Sequence, residues 1–278
     1  MRNTLVNSPS PHKAFQHIVL DHKTPSQELS FWLDKLFKFK QQFYIPANRE
    51  PWESEQKTGF LNPGISVPRS TPIIGALNYN PSAREMAEEL TRTPNQKDAP
   101  NEIHIVSDKD ENILAYSHFV PLDKTILTII DNIIEGQTKE TGQRGVNLVK
   151  SLTNFIITKT PLNSFSETSL SIIRNLLKFK MENPEIKLKP IQNYGTAILP
   201  TKQARLAATQ LLDSLIKDFK ERGITHIAAG HHELNRPSEA IQKNKGFEKI
   251  SKPINQWGFG PFISTMKTIS NTNTHKDS

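Results

Sequence analysis

His231-His232-Glu233 places two imidazoles and a carboxylate side by side at the end of the apolar run 224–229. Imidazole and carboxylate groups can take a proton from an amine, and both can ligate zinc. Adjacent residues on a strand project in opposite directions, and no second ligand motif occurs elsewhere. Proton transfer therefore suits this run better than a metal site, and none is expected. The alternative is an exposed polar strand end. The chain has no cysteine, which excludes disulfides, thiolate metal sites and a cysteine nucleophile. It also lacks a Gly-x-x-x-x-Gly-Lys phosphate loop, a Gly-x-Ser-x-Gly elbow and a His-Glu-x-x-His zinc helix.

The groups around these residues set the class of partner. The chain has 278 residues, 35% apolar and 23% charged, with a net charge of +7 and a pI near 9.4. One large domain or two small ones fit that length. The basic balance favours a phosphorylated cofactor, a nucleic acid or an anionic membrane. The lysines at 35–40 and 178–189 are too sparse for a nucleic-acid tail and read as solvated helix faces, which argues against nucleic acid. No apolar window is long enough to span a membrane, and the start of the chain lacks the apolar run of a secretory signal. A cytoplasmic protein is expected, although export without a signal would leave the same sequence. Residues 1–13 are expected to form a disordered leader, and 270–278 a disordered polar tail.

The elements that would position the chemistry follow from pattern. Residues 14–20 read as a strand. Thr24-Pro25-Ser26-Gln27 opens a helix running to Pro46, with Thr24 as cap and Gln27 closing a capping box. Residues 45–80, rich in Pro, Gly, Asn and Ser, form a long irregular connection. A second helix covers 81–92. Two apolar runs flank Asp108–Asn112 as a hairpin over 102–121. Helices are expected at 124–135, 143–158 and 166–181. From 191 the order is strand (194–199), helix (202–222) closed by Gly223, strand (224–229), helix (237–245) closed by Gly246, then strands at 247–254 and 262–269 around Trp257 and Phe259.

Residues 197–212, AILPTKQARLAATQLL, resemble the acetyl-CoA motif of the GNAT (GCN5-related N-acetyltransferase) superfamily: strand, Pro, Arg/Gln-x-x-Gly-x-Gly/Ala, helix. Pro200, Gln203 and Ala208 fall on the family's positions, and Leu211 and Leu212 on its paired leucines. Leu206 occupies the place of the motif's first glycine. Residues 235–247, NRPSEAIQKNKGF, resemble the later segment, with Asn235 and Gly246-Phe247 at the family's spacing. Gln242 stands where the family usually has a tyrosine that protonates the departing thiolate. The hairpin resembles the family's middle strands, and the helices near 26–44 and 81–92 its first two.

The resemblance implies an α/β fold of the α+β kind: a mixed central sheet flanked by helices, over a single domain at 14–269. Residues 122–190 would be a helical insertion between the third and fourth strands, and 191–265 the acyl-CoA-binding half. It implies an N-acyltransferase using acetyl-CoA or another acyl-CoA on a primary amine, of a small molecule or a protein lysine. The cofactor would lie against Leu199, Gln203, Ala204, Arg205, Leu206, Ala207, Ala208, Asn235 and Gln242, its pyrophosphate held by loop amides at the helix start. Lys202 and Arg205 would add charge. Glu233 and His231 are the candidate bases, and Tyr194 (with Tyr116) the candidate replacement acid. The other hypothesis is a GNAT-fold binding module without catalysis, favoured by Leu206 and Gln242.

Overall fold

The computed structural model describes residues 4–6, 15–41, 83–92, 100–138, 167–199, 201–233, 235–255 and 261–269. Among them nine strands form one sheet. They are β1 (Thr4–Val6), β2 (Phe15–Leu20), β3 (Glu102–Ser107), β4 (Ile113–Pro121), β5 (Pro190–Ile198), β6 (His226–His232), β7 (Glu248–Lys249), β8 (Ile254–Asn255) and β9 (Pro261–Thr268). The order is β1-β2-β3-β4-β5-β6-β9-β7, with β8 also on β9. Every pairing is antiparallel except β5–β6, which is parallel. The helices are α1 (Ser26–Gln41), α2 (Ala83–Arg92), α3 (Lys124–Thr138), α4 (Glu167–Glu182), α5 (Lys202–Glu221) and α6 (Arg236–Asn244). This is the expected mixed sheet flanked by helices.

Apolar spacing decides where each helix packs. In α1, Leu29, Trp32, Leu33, Leu36 and Phe39 recur three or four residues apart and are buried with Met86 and Leu90 of α2 against Ile18, Ile103, Ile105 and Tyr116. In α5, Ala204, Ala207, Leu211, Leu215 and Phe219 form the buried stripe. They cover the opposite face with Phe119, Ile191 and Ile227. Helices α3 and α4 share a third cluster with Ala228 and Met266. Ile227 and Ala228 are neighbours on one strand, so α3 and α4 lie on the face opposite α5, the face that α1 and α2 also cover. Helix 124–138 and helix 167–182 thus occupy the expected insertion between the hairpin and β5. The intervening 143–158 lies outside the described residues, as do 45–80, Trp257, Phe259 and the tail 270–278.

Several expectations change. Thr4–Val6, inside the segment expected to be a disordered leader, pairs with Phe15–His17 as an edge strand. The insertion therefore falls between the fourth and fifth strands in chain order. The strand expected at 194–199 begins at Pro190, because Pro190–Gln192 pair with His226–Ala228. The strand expected at 247–254 is two short pieces. Between them Ile250 N–H donates to Ser264 O, and Ser264 N–H donates to Ser251 Oγ. The Thr24 hydroxyl accepts the amide of Asp21 at 2.9 Å, closing the turn before α1. Gly223 and Gly246 close α5 and α6 with φ of 74° and 75°, a region that favours glycine.

Histidine and carboxylate side chains are buried in an unusual chain on the α5 side. His17 Nε2 lies 3.1 Å from His104 Nδ1, and His104 Nε2 lies 3.3 Å from Glu102. Both Glu102 oxygens accept from Arg222 at 3.0 Å, at the end of α5, and Arg222 also reaches Asp218. Burial alone would raise the Glu102 carboxyl. The hydrogen bonds from His104 and Arg222 outweigh it and hold the group at about 2. Arg222→Ala leaves that buried carboxylate with His104 alone. Urea unfolding is expected to show a loss of about 3 kcal/mol, the lower range for breaking a buried pair from one side.

Candidate functional site

Strands β5 and β6 pair over only three residues each, Pro190–Gln192 with His226–Ala228. Beyond that point β5 stays with β4 as far as Ile198, and β6 stays with β9 as far as His232. A wedge therefore opens between 193–198 and 229–232, toward the carboxyl ends of the two parallel strands. Ligands of open α/β sheets bind outside those strand ends. An extended chain carrying amides can hydrogen-bond a strand edge that has parted from its neighbour.

A β-bulge marks the apex of the wedge. His118 pairs with Gly195 and Phe119 with Asn193, so the register steps over Tyr194. The extra residue inverts the side chains of β5: Ile191 faces α5, and Ala197 faces α1. Tyr194 is 54% exposed and packs edge-on against His118 at 5.6 Å. A Cβ at Gly195 would sit 3.3 Å from the Tyr116 hydroxyl, a tight contact. His118 Nε2 lies 3.1 Å from Asn101 Oδ1, and because an amide oxygen accepts, the ring donates. Burial first, then the neighbouring Lys40 and His104, lower His118 to about 3, so its ring is neutral.

At the end of the wedge, Glu233 is half-buried in the turn after β6. His231 is 3% exposed. Its Nδ1 donates to Gln242 Oε1 at 2.9 Å, and Thr265 Oγ1 donates to the same oxygen at 2.9 Å. Gln242 Nε2 donates to Gly230 O at 3.3 Å. Gln242 is thus a clamp joining α6 to β6 and β9, and His231 is part of its core. Both belong to one network, but His231 is not the accessible base that the sequence suggested. The side chain of His232 lies outside the described residues. Asn235 caps α6 as expected, its Oδ1 accepting from Ser238 N–H at 3.1 Å. Gly230 cannot accept a side chain: a Cβ would lie 2.3 Å from the Phe262 ring and 3.0 Å from Ile263 O. Gly230→Ala is expected to destabilise by about 1–3 kcal/mol, read as a lower urea midpoint with an unchanged slope.

Thr201 caps α5, accepting the amide of Ala204 at 3.1 Å, and the helix runs from Lys202 as expected. Gln203, Ala204, Arg205, Leu206, Ala207 and Ala208 all lie within it. Arg205 N–H donates to Thr201 O, and the amides of Leu206, Ala207 and Ala208 belong to the intrahelical ladder. The cause is composition. A Thr cap followed by Lys, Gln, Ala, Arg and Leu, with no glycine, propagates a helix. Ala204 and Ala207 are buried against the sheet, Lys202 and Arg205 are exposed, and Leu206 is 51% exposed. Leu199 is partly buried against the core, its amide donating to Leu114 O.

Among the described residues no group of three His, Cys, Asp or Glu could hold a metal ion. No described helix is long and apolar enough to cross a membrane. No family model and no curated protein matches the chain. Solved structures do. The ribosomal-protein-S18-alanine N-acetyltransferase of Escherichia coli matches at 9% identity and a TM-score of 0.42, over 93% of this chain and 99% of that one. An N-acetyltransferase from Staphylococcus aureus Mu50 matches at 10% identity and 0.42, over 91% and 98%. A GCN5-related N-acetyltransferase from Kribbella flavida matches at 10% and 0.40, over 91% and 97%. At such values the strand pairing itself remains the ground for a functional reading.

Proposed function

We propose that this chain is a divergent GNAT-type N-acyltransferase that takes its acyl group from an acyl-pantetheine thioester, acetyl-CoA or another acyl-CoA, and gives it to a primary amine. The observation that carries this reading is the β5–β6 wedge with a bulge at its apex. A pantetheine arm is an extended chain with two amides, suited to the parted edge of β5. The wedge would bring its thioester toward Tyr194. The residues present fit such a donor at the pantetheine end, and Lys202 and Arg205 supply charge for phosphate at the other.

In the transfer, the amine nitrogen forms a bond to the acyl carbon and the carbon–sulfur bond breaks. The amine gives up one proton and the leaving thiolate takes one. Glu233, in the turn that ends β6, is the group we assign to proton acceptance, reached from the amine through water along the wedge. Tyr194, exposed at the apex, is the nearest candidate to return a proton to sulfur. Gln242 has no proton to give at ordinary pH and is engaged three ways, so it holds the scaffold. Helices α3 and α4, on the face away from α5, would flank the acceptor. A catalytically silent binding module is the second reading, favoured by the helical conformation of 202–208.

Thermal unfolding with acetyl-CoA tests the assignment. Saturation at a hundredfold excess over Kd adds about 2.7 kcal/mol, so a clear upward shift in Tm is expected. No shift at millimolar acetyl-CoA would reject it. If acetyl-CoA binds, Glu233→Gln is expected to keep the shift and lower turnover by about a hundredfold or more. Unchanged turnover would remove Glu233 as the base and leave the acyltransferase reading standing.

A further inference from the structure

The phosphate end of the wedge is built differently from its pantetheine end. A pyrophosphate needs several backbone N–H groups pointing at it. In α5 the Ala204 amide is taken by the Thr201 hydroxyl and the Arg205 amide by the Thr201 carbonyl. From Leu206 onward the amides serve the helix. That leaves Lys202 and Gln203, enough for one phosphate group and too few for a cradle around two. At the position where a close phosphate approach would need the least bulk, Leu206 projects into solvent, 51% exposed.

The surroundings of Leu206 point to what replaces the cradle. Lys202 and Arg205 stand four and one residues before it, both exposed on the same side of the helix. Among the described residues neither is joined to a carboxylate, whereas Asp213 and Asp218 further along α5 pair with Lys245 and Arg222. Two cations with no carboxylate partner among the described residues, and an exposed leucine beside them, form a basic patch with an apolar spot. It matches a protein surface that is acidic around an apolar spot, and the chain's net charge of +7 favours the same partner. We propose that the acyl donor is a phosphopantetheine thioester attached to an acidic carrier protein, which docks on the Lys202, Arg205 and Leu206 face of α5. This rests on the acyl-pantetheine reading of the wedge. The transfer is unchanged: the acyl carbon leaves the carrier's sulfur for the amine nitrogen, and the carrier departs as the free thiol.

Calorimetric titration of the full chain with three probes tests it: acetyl-4′-phosphopantetheine, acetyl-CoA, and a bacterial acyl carrier protein bearing an acetyl-phosphopantetheine arm. The two small donors are expected to bind alike, within about threefold, because the adenosine phosphates of CoA meet no cradle. The carrier is expected to bind at least about tenfold more tightly than its free arm at low salt, and to lose most of that gain at high salt. Leu206→Gln, which removes the apolar spot without adding charge, is expected to remove most of the gain and leave acetyl-4′-phosphopantetheine binding unchanged. Tighter binding of acetyl-CoA than of acetyl-4′-phosphopantetheine by about tenfold or more would overturn the carrier assignment and leave the acyltransferase reading standing. A carrier no tighter than its free arm, or a gain untouched by Leu206→Gln, would also overturn it. Failure of all three probes to bind would sink both proposals.

Discussion

Acidifying the protein from pH 7.5 to pH 5 is expected to remove several kcal/mol of stability, more than most single substitutions. Two histidines are buried and a third, His17, is partly buried, all in the neutral form. Burial, then the neighbouring His104, lowers His17 to about 4 against a weaker pull from Glu102 in the other direction. Burial with Lys40 and His104 lowers His118 to about 3. Burial lowers His226, packed edge-on against Phe179 at 4.5 Å, to about 4. In each case the folded value lies below the unfolded one. Below pH 6.5 the unfolded chain takes up protons that the folded chain refuses. Stability is therefore complete above that value and falls as the pH drops toward 4, by about 1.4 kcal/mol per pH unit for each histidine at full slope. Glu102 acts in the same direction over a lower window. Its folded value of about 2 lies below the ordinary 4.5, so its contribution holds above pH 4.5 and fades between 4.5 and 2. Urea unfolding at half-unit steps from pH 7.5 to 5 checks this. His226→Gln should flatten the slope by about a third between pH 6 and 5, since one of three equal titrations is removed. A flat profile across that range would show that these rings are accessible to protons in the folded state.

Gln242→Ala is expected to cost about 2–4 kcal/mol, because it takes the acceptor from a buried imidazole and a buried hydroxyl and the donor from the Gly230 carbonyl. Thermal or urea unfolding reads the loss. Gln242→Glu keeps an acceptor for His231 and Thr265 and loses only the donor to Gly230, so it should recover part of that stability. Equal losses in the two variants would mean that packing of the chain's methylenes, rather than the shared oxygen, holds α6 in place. Gln242→Tyr supplies the phenol that the motif resembled by residues 235–247 carries at this position, but a phenol cannot accept from both partners while donating to Gly230. It is expected to unfold early and to gain no turnover.

The strand–helix order after residue 191 was legible because each element ends on a local signal: Gly223 and Gly246 at positive φ, Asn235 as a cap. The start of α5 at Lys202 was legible too, in the strand that ends before Pro200 and the glycine-free run 202–208, and the helix forms there. The bulge at Tyr194 left only a faint trace in Gly195. Its position follows from pairing with β4, some 76 residues earlier in the chain (His118 with Gly195 is 77 apart). The histidine–carboxylate chain left none. His17 and His104 are 87 residues apart, and Glu102 and Arg222 are 120 apart. Glu233 and His231 were found together from sequence, but burial separates them: strand alternation turns His231 into the α6 interface, and the turn after His232 leaves Glu233 partly in solvent.

The central claim is that the parted strands β5 and β6 hold an acyl-pantetheine arm. A crystal structure with acetyl-CoA tests it most directly. The pantetheine is expected between residues 193–198 and 229–232, with its amides on the edge of β5 and its thioester beside Tyr194. A donor bound elsewhere, as in the shallow groove lined by Phe15, His17, Val106 and Leu211 under α5, with the wedge filled by the protein's own side chains, would contradict it.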